Sequence, residues 1–424
     1  MRRSIFWLTI LGFLSLQSCL KDNCQEEVTY LQYNPVYMSL DEIRQDISIE
    51  GPRKLENPGK LYFYGQYVLV GERNEGIHII DNTDPSNPNN LGFIDIPCNN
   101  DMAVYNDVLY ADNCIDLLAI DISDPLNAKL LSRTEDQFYP LWEEANDRYA
   151  VYYETEEVTV IQDCSNNDGG GLGWGVRRNE DIAFTAQAEA AAFDNSGSTG
   201  GSGIGGSMAR FTIAKGHLYI VTDWQLQVMN LADLSQPQLT NTVDLWGGIE
   251  TIIPHGDELY IGSNSGMFIF DNTDPSYPVE LSRLIHATAC DPVFVKEPYA
   301  YVTLRDGTEC QGFVNQMELV DISDLRNPVL VETFQMDNPH GLSIADNTLF
   351  LCEGDYGMKV FDISNPEKLD KNMIEEIDDL HAFDVIHVPG QNDLLLIIGE
   401  DGFYQYNSSN PSKLKLLSKI EIGQ

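Results

Sequence analysis

A chain of 424 residues with 43% apolar and 10% aromatic content can bury a large core, which excludes disorder as its ground state. Its 66 acidic residues against 25 basic ones leave a formal net charge of −41, which excludes a nucleic-acid backbone as partner, because that affinity comes from Lys and Arg. Acid in such excess serves solubility or draws cations and basic partners.

The chain opens on Arg2 and Arg3, then the apolar run IFWLTILGFLSL, then LQSC ending at Cys19. That order of basic, apolar and small residues is a secretion signal. The apolar run is shorter than the roughly 20 residues a spanning helix needs, and no later stretch is long enough. The segment resembles the lipobox of bacterial lipoproteins, which implies a signal peptide over 1–18 and a lipid on Cys19, anchoring the chain to a membrane. A plain secretory signal or a short anchor helix is the alternative. No Asp follows Cys19, which is similar to outer-membrane sorting, and LKDNCQEE is similar to the surface-export tags of Bacteroidetes lipoproteins. Residues 19–56 are then tether and lead-in.

From residue 79 a phrase recurs: IIDNTDPSNP, AIDISDPLNA, VIQDCSNNDG, VMNLADLSQP, IFDNTDPSYP, LVDISDLRNP, VFDISNPEKL and QYNSSNPSKL. Its Asp or Asn falls at 81, 121, 163, 230, 271, 321, 362 and 407, mostly 40 to 50 residues apart. Such a period signals a propeller or solenoid array. Between copies lie short β-rich runs, for example VLYADN and DLLAIDIS, separated by Asn, Asp, Gly or Pro turns. Four short strands per unit make one propeller blade. The phrase itself reads as punctuation: an Asp or Asn stops an apolar strand by bonding its own backbone, and Pro or Asn fixes the turn that follows.

The strands LLAID, MELVD and MKVFD resemble those of the LVIVD repeat family over roughly residues 60–420, and HATACDPVFV, YAYVTLRDG and GSMARFTI are similar to its Bacteroidetes lipoprotein branch. The resemblance implies an all-β propeller on an exported protein, with no established reaction. The copies predict about eight four-stranded blades over 57–424, interrupted by a Gly-rich insertion at 165–207. Seven is the alternative, if the third unit is incomplete or an early strand within 36–50 shares a blade with the C-terminus. The insertion contains no phosphate-binding G-x-x-x-x-G-K-[ST], which excludes that mode of nucleotide binding. It reads as an excursion between blades or as a lid bearing Trp174, Arg177 and Arg178.

The blade register places Cys98 near Cys114, and Cys290 near Cys310, which predicts two disulfides in an exported chain. Cys24, Cys164 and Cys352 have no evident partner. On the face where propellers usually bind ligands the same register collects acids, among them Glu72, Asp112, Asp116, Asp223, Glu353 and Asp401. Asp101, Asp291, His340 and His381 fall at the channel mouth, and Asp291, His340 and His381 are the types that hold a divalent cation. No other cofactor is indicated, and no H-E-x-x-H, G-x-S-x-G or EF-hand motif names a catalytic residue. Tyr139, Trp224, Trp246 and Tyr356 fall at or near the same face, as amphipathic rings do where a protein grips a glycan or another protein. The expected function is non-enzymatic binding or scaffolding in the cell envelope through this acidic, aromatic-bearing face. The alternative is a divalent-metal-dependent hydrolase or lyase at the channel mouth.

Overall fold

Runs such as Tyr67–Glu72 (YVLVGE) and Gly76–Asp81 (GIHIID) are apolar on both alternating faces, a pattern suited to a strand held between two other layers. Val68, Leu69, Val70, Ile77, Ile79 and Ile80 are accordingly fully buried. The computed structural model describes residues 25–144, 148–163, 204–245, 248–285, 292–305, 314–388, 390 and 393–423. The expected lipid site Cys19 and the expected Cys290–Cys310 pair lie outside the described residues, as do Asp291 and Trp246. No helix among the described residues is long and apolar enough to cross a membrane.

The chain divides into two compact units, one of residues 1–34 and 154–181, the other of 35–153 and 182–424. In the first, Thr29 and Thr159 join their hydroxyls at 2.9 Å. Among its described residues the second carries seven antiparallel meanders of four strands each, over 58–95, 102–134, 211–244, 249–285, 293–335, 342–377 and 384–421. Their first strands touch in chain order, and the last touches the first, so the sheets close a ring. This is β-propeller architecture.

Among the described residues the expected third unit adds no such sheet. Its strand, Arg148–Asp163, lies instead between Gln25–Ser39 and Trp142–Glu144 in a three-stranded sheet, which leaves seven meanders among the described residues. The early segment does not share a sheet with the C-terminus either. Ser48–Glu50 pairs with Asn89–Asp95 at the outer edge of the first sheet, covering an edge that would otherwise be unpaired.

The ring closes without exchange of strands. Leu61, Val70 and Ile80 of the first sheet pack with Ile386, Leu396 and Phe403 of the last. Gln405 donates to Asn82 Oδ1 at 2.6 Å, and the Ser418 hydroxyl donates to the Pro85 carbonyl at 2.7 Å.

At Asp81, Asp121, Asp271, Asp321 and Asp362, Oδ1 accepts the backbone N–H two residues on, at 2.8–2.9 Å. Side-chain and backbone hydrogen bonds to Thr83 or its Ser and Thr counterparts hold all five carboxyls below their usual range. The phrase is turn chemistry, and it also joins neighbouring sheets. Tyr110 donates to the Leu234 carbonyl at 2.9 Å, and Tyr219 donates to Asn272 and to the Pro275 carbonyl at 2.9 and 3.0 Å.

Candidate ligand site on the upper face

Each first strand begins, and each second strand ends, on one face of the ring, called upper below. The channel behind it is filled by the chain itself. Ile204–Gly205, expected in the insertion, pairs with Tyr62 and Phe63 on the inner edge of the first sheet, and residues 205–209 are buried. The Arg210 N–H donates to Asp101 Oδ2 at 2.9 Å, and the Leu342 N–H donates to Ser207 Oγ at 2.8 Å. Lys60 pairs with Asp101, both buried. Asp384, also buried, is pushed up to about 7 by desolvation. Val385, Lys60 and Ser207 moderate that rise, although neither carboxyl oxygen has a well-aligned hydrogen bond.

The acids expected to face a ligand largely hold the upper loops. Glu72 accepts the backbone N–H groups of Glu56 and Asn57, Asp112 those of Asn100 and Asp101, and Glu353 those of Asp337 and Asn338. Asp116 is fully buried between Arg44 and Arg133, at 2.9 and 3.1 Å. A carboxylate at the end of a second strand is within reach of unpaired amides in the adjacent loop, and bonding them offsets its desolvation. Burial raises Asp112 to about 6 and raises Glu353 as well. Asp223 and Asp355 remain exposed.

His340 and His381 come together on the ring of Phe383, while Asp291, the third residue expected with them, lies outside the described residues. The Arg305 guanidinium lies against both His340 ring nitrogens, 3.2 Å from Nε2 and closer to Nδ1, taking a lone pair that a metal would need. His340 is held well below its ordinary range by burial, then by Arg305, His381 and Arg73. His381 Nδ1 accepts the Glu400 N–H at 3.3 Å, which turns Nε2 toward Asp355 Oδ1 at 3.7 Å. Among the described residues no three His, Cys, Asp or Glu side chains converge on a metal position.

The strand register also corrects the expected equivalences. Asp384, not His381, is level with Asp101, and Phe383 is level with His340. Phe383 is a centre that the sequence reading missed. His381 meets its ring edge-on at 4.3 Å between centroids, the His340 ring lies at 5.6 Å, and Arg73 sits over it at 5.6 Å. Arg73 and Arg305 occupy equivalent positions, each six residues past the residue that pairs with Asp81 or Asp321. That recurrence of a cation in an acidic chain was a readable signal.

Trp224 and Tyr356 stand in upper turns between second and third strands, 63% and 54% exposed, and Tyr139 is 85% exposed beyond the second sheet. Cys98 and Cys114 form the expected disulfide, with Cα atoms 4.9 Å apart. It closes 16 residues, a loop whose constraint contributes about 3 kcal/mol by chain entropy. Cys352 is free and buried.

Two segments, residues 59–95 and 288–336, match the LVIVD repeat. A solved protein from Lactobacillus plantarum is similar over 86% of this chain and 96% of its own, at 14% identity and a TM-score of 0.53. The periplasmic gluconolactonase of Pseudomonas aeruginosa is similar over 89% and 97%, at 10% identity and a TM-score of 0.51. At such identities the likeness is one of fold alone. No curated protein matches in sequence. The chain carries LVIVD repeats and folds as an all-β protein of the β-propeller type.

Proposed function

We propose that the protein is an exported, lipid-anchored binding protein of the bacterial cell envelope, held in the outer membrane through Cys19, that engages a protein or glycan partner with its upper face and catalyses no reaction. The observation that carries this reading is the pair of large rings left in water on that face, Trp224 and Tyr356. Most aromatic side chains elsewhere in the sheets are buried, and a ring kept exposed in a short turn presents amphipathic area at little entropic cost. The filled channel supports binding over catalysis, since segment 204–210 lies where a propeller enzyme would admit substrate. The anchor rests on the sequence around Cys19.

The test is capture from a solubilised envelope fraction by the full chain and by a Trp224→Ala, Tyr356→Ala double variant. A partner retained by the parent and lost by the variant is expected. Equal capture by both would contradict the assignment of the face.

A further inference from the structure

We infer that the lower face, opposite the upper one, carries a second binding site, an open cleft at the mouth of the channel that takes a free amino acid or short peptide with an apolar side chain. The inference goes beyond the upper-face reading and does not depend on it.

The cleft has a volume of about 500 Å³ and is lined by residues at the lower ends of three neighbouring inner strands, Ile249–His255, Val293–Lys296 and Leu342–Ala345. That volume is within the range of small-molecule sites.

Three observations converge on it. First, the inner strands make the cleft amphipathic. Phe294 and Lys296 lie two residues apart, as do Ile344 and Asp346, so on each strand an apolar and a charged side chain share a side, the charged one nearer the lower rim. Phe294 packs against the cores on both flanks of its sheet and Ile344 against one of them, which fixes the apolar floor. Second, the charges in the cleft do not cancel one another. Lys296 Nζ donates to the Asp346 carbonyl and to Asn347 Oδ1, both neutral acceptors, and among the described residues it pairs with no carboxylate. An ammonium has three donors, so one remains for a ligand. The exposed Asp346 carboxylate has no ion pair among the described residues either. Its charge acts on His387, but burial holds that ring below its ordinary range, so at pH 7 the imidazole is neutral and leaves Asp346 unbalanced. Third, Glu297 is held loosely. Its Oε1 lies 3.6 Å from His255 Nε2, beyond hydrogen-bond length, and its side chain is 74% exposed.

This arrangement selects a zwitterion. A ligand bearing only an anion would meet Asp346 and Glu297, and one bearing only a cation would meet Lys296. A molecule with one charge at each end of an apolar body satisfies both walls. Its carboxylate takes the remaining Lys296 donor, its ammonium lies by Asp346, and its side chain covers Phe294 and Ile344.

The experiment is isothermal titration of the full chain in detergent with leucyl-leucine and, separately, with its amide, which lacks the carboxylate, and its N-acetyl form, which lacks the ammonium. Lys296→Gln and Asp346→Asn are the site variants. Lys371→Gln, at a side chain 71% exposed between the third and fourth strands of the sixth sheet, is the control. Asp346 has φ +48°, a conformation that Asn adopts readily, so Asp346→Asn preserves its turn even if Lys296→Gln loosens the contact with Asn347. Saturable binding of the dipeptide is expected, weakened about fivefold by either site variant, the worth of an exposed ion pair, and unchanged in the control. The amide should bind the parent about fivefold more weakly than the dipeptide and lose nothing more with Lys296→Gln, and the N-acetyl form should behave likewise with Asp346→Asn. No saturable binding to the parent, equal binding of the three ligands, or equal weakening by Lys371→Gln overturns the inference. So does a uniform loss of all three ligands in Asp346→Asn, which a merely structural role would produce.

Discussion

Asp384 shows how a single buried group records the cost of filling the channel. Its carboxyl is raised to about 7, whereas an unfolded Asp titrates at roughly 4. Between those values the folded chain holds a proton that the unfolded chain has lost, so this group's contribution to stability falls as pH rises from roughly 4 to 7 and is level above. Asp384→Asn removes the titration while keeping the shape. The variant should gain more stability relative to the parent at pH 8 than at pH 5, read as the difference in denaturation midpoints at the two pH values. An equal gain at both would show that Asp384 stays ionised in the folded chain. Little of this was legible in the sequence. The Asp reaches the channel through its place at the start of a first strand, and it is buried by residues 204–210, nearly 180 positions away in the chain.

Elements were more legible than their partners, for a physical reason. The Asp or Asn of the repeated phrase bonds an amide two residues away, so its turn is written entirely within the phrase. The disulfide Cys98–Cys114 was readable because Cys98 lies in the loop leading into the second sheet and Cys114 in an upper turn of that sheet. The acids at second-strand ends were misread because their partners, the amides of the preceding loop, carry no sequence signature. The turn bearing Tyr356 offers a test at this scale. Gly357 has φ +78°, and a Cβ there would stand 1.9 Å from the Ile377 carbonyl oxygen, backbone that cannot move aside cheaply. Gly357→Ala should cost more than about 1 kcal/mol in denaturant unfolding. A cost within error of zero would mean that the turn relaxes to another conformation, and that the exposure of Tyr356 is not fixed by it.

At the scale of the whole molecule, the seven four-stranded meanders among the described residues turn local regularity into one unlike face. The lower face repeats the same Asp turns from sheet to sheet, while the upper face differs at almost every turn, with Arg73, the Cys98–Cys114 bridge, Trp224, Arg305 and Tyr356 each in its own sheet. Sequence periodicity reveals what repeats, so the lower face was plain and the upper one had to be assembled from the ring. The third copy of the phrase keeps the Asp at 163, but among the described residues its strand joins a three-stranded sheet in place of a four-stranded meander. The claim that partners meet the upper face is tested most directly by photo-crosslinking in intact cells, with a photoreactive aromatic residue replacing Trp224 in one strain and Tyr277 in another. Tyr277 lies in a lower turn and is 58% exposed against 63% for Trp224, so the two probes are matched in accessibility. A discrete adduct from position 224 and none from 277 is the predicted result. The same adduct from both positions, or one from 277 alone, would contradict the account.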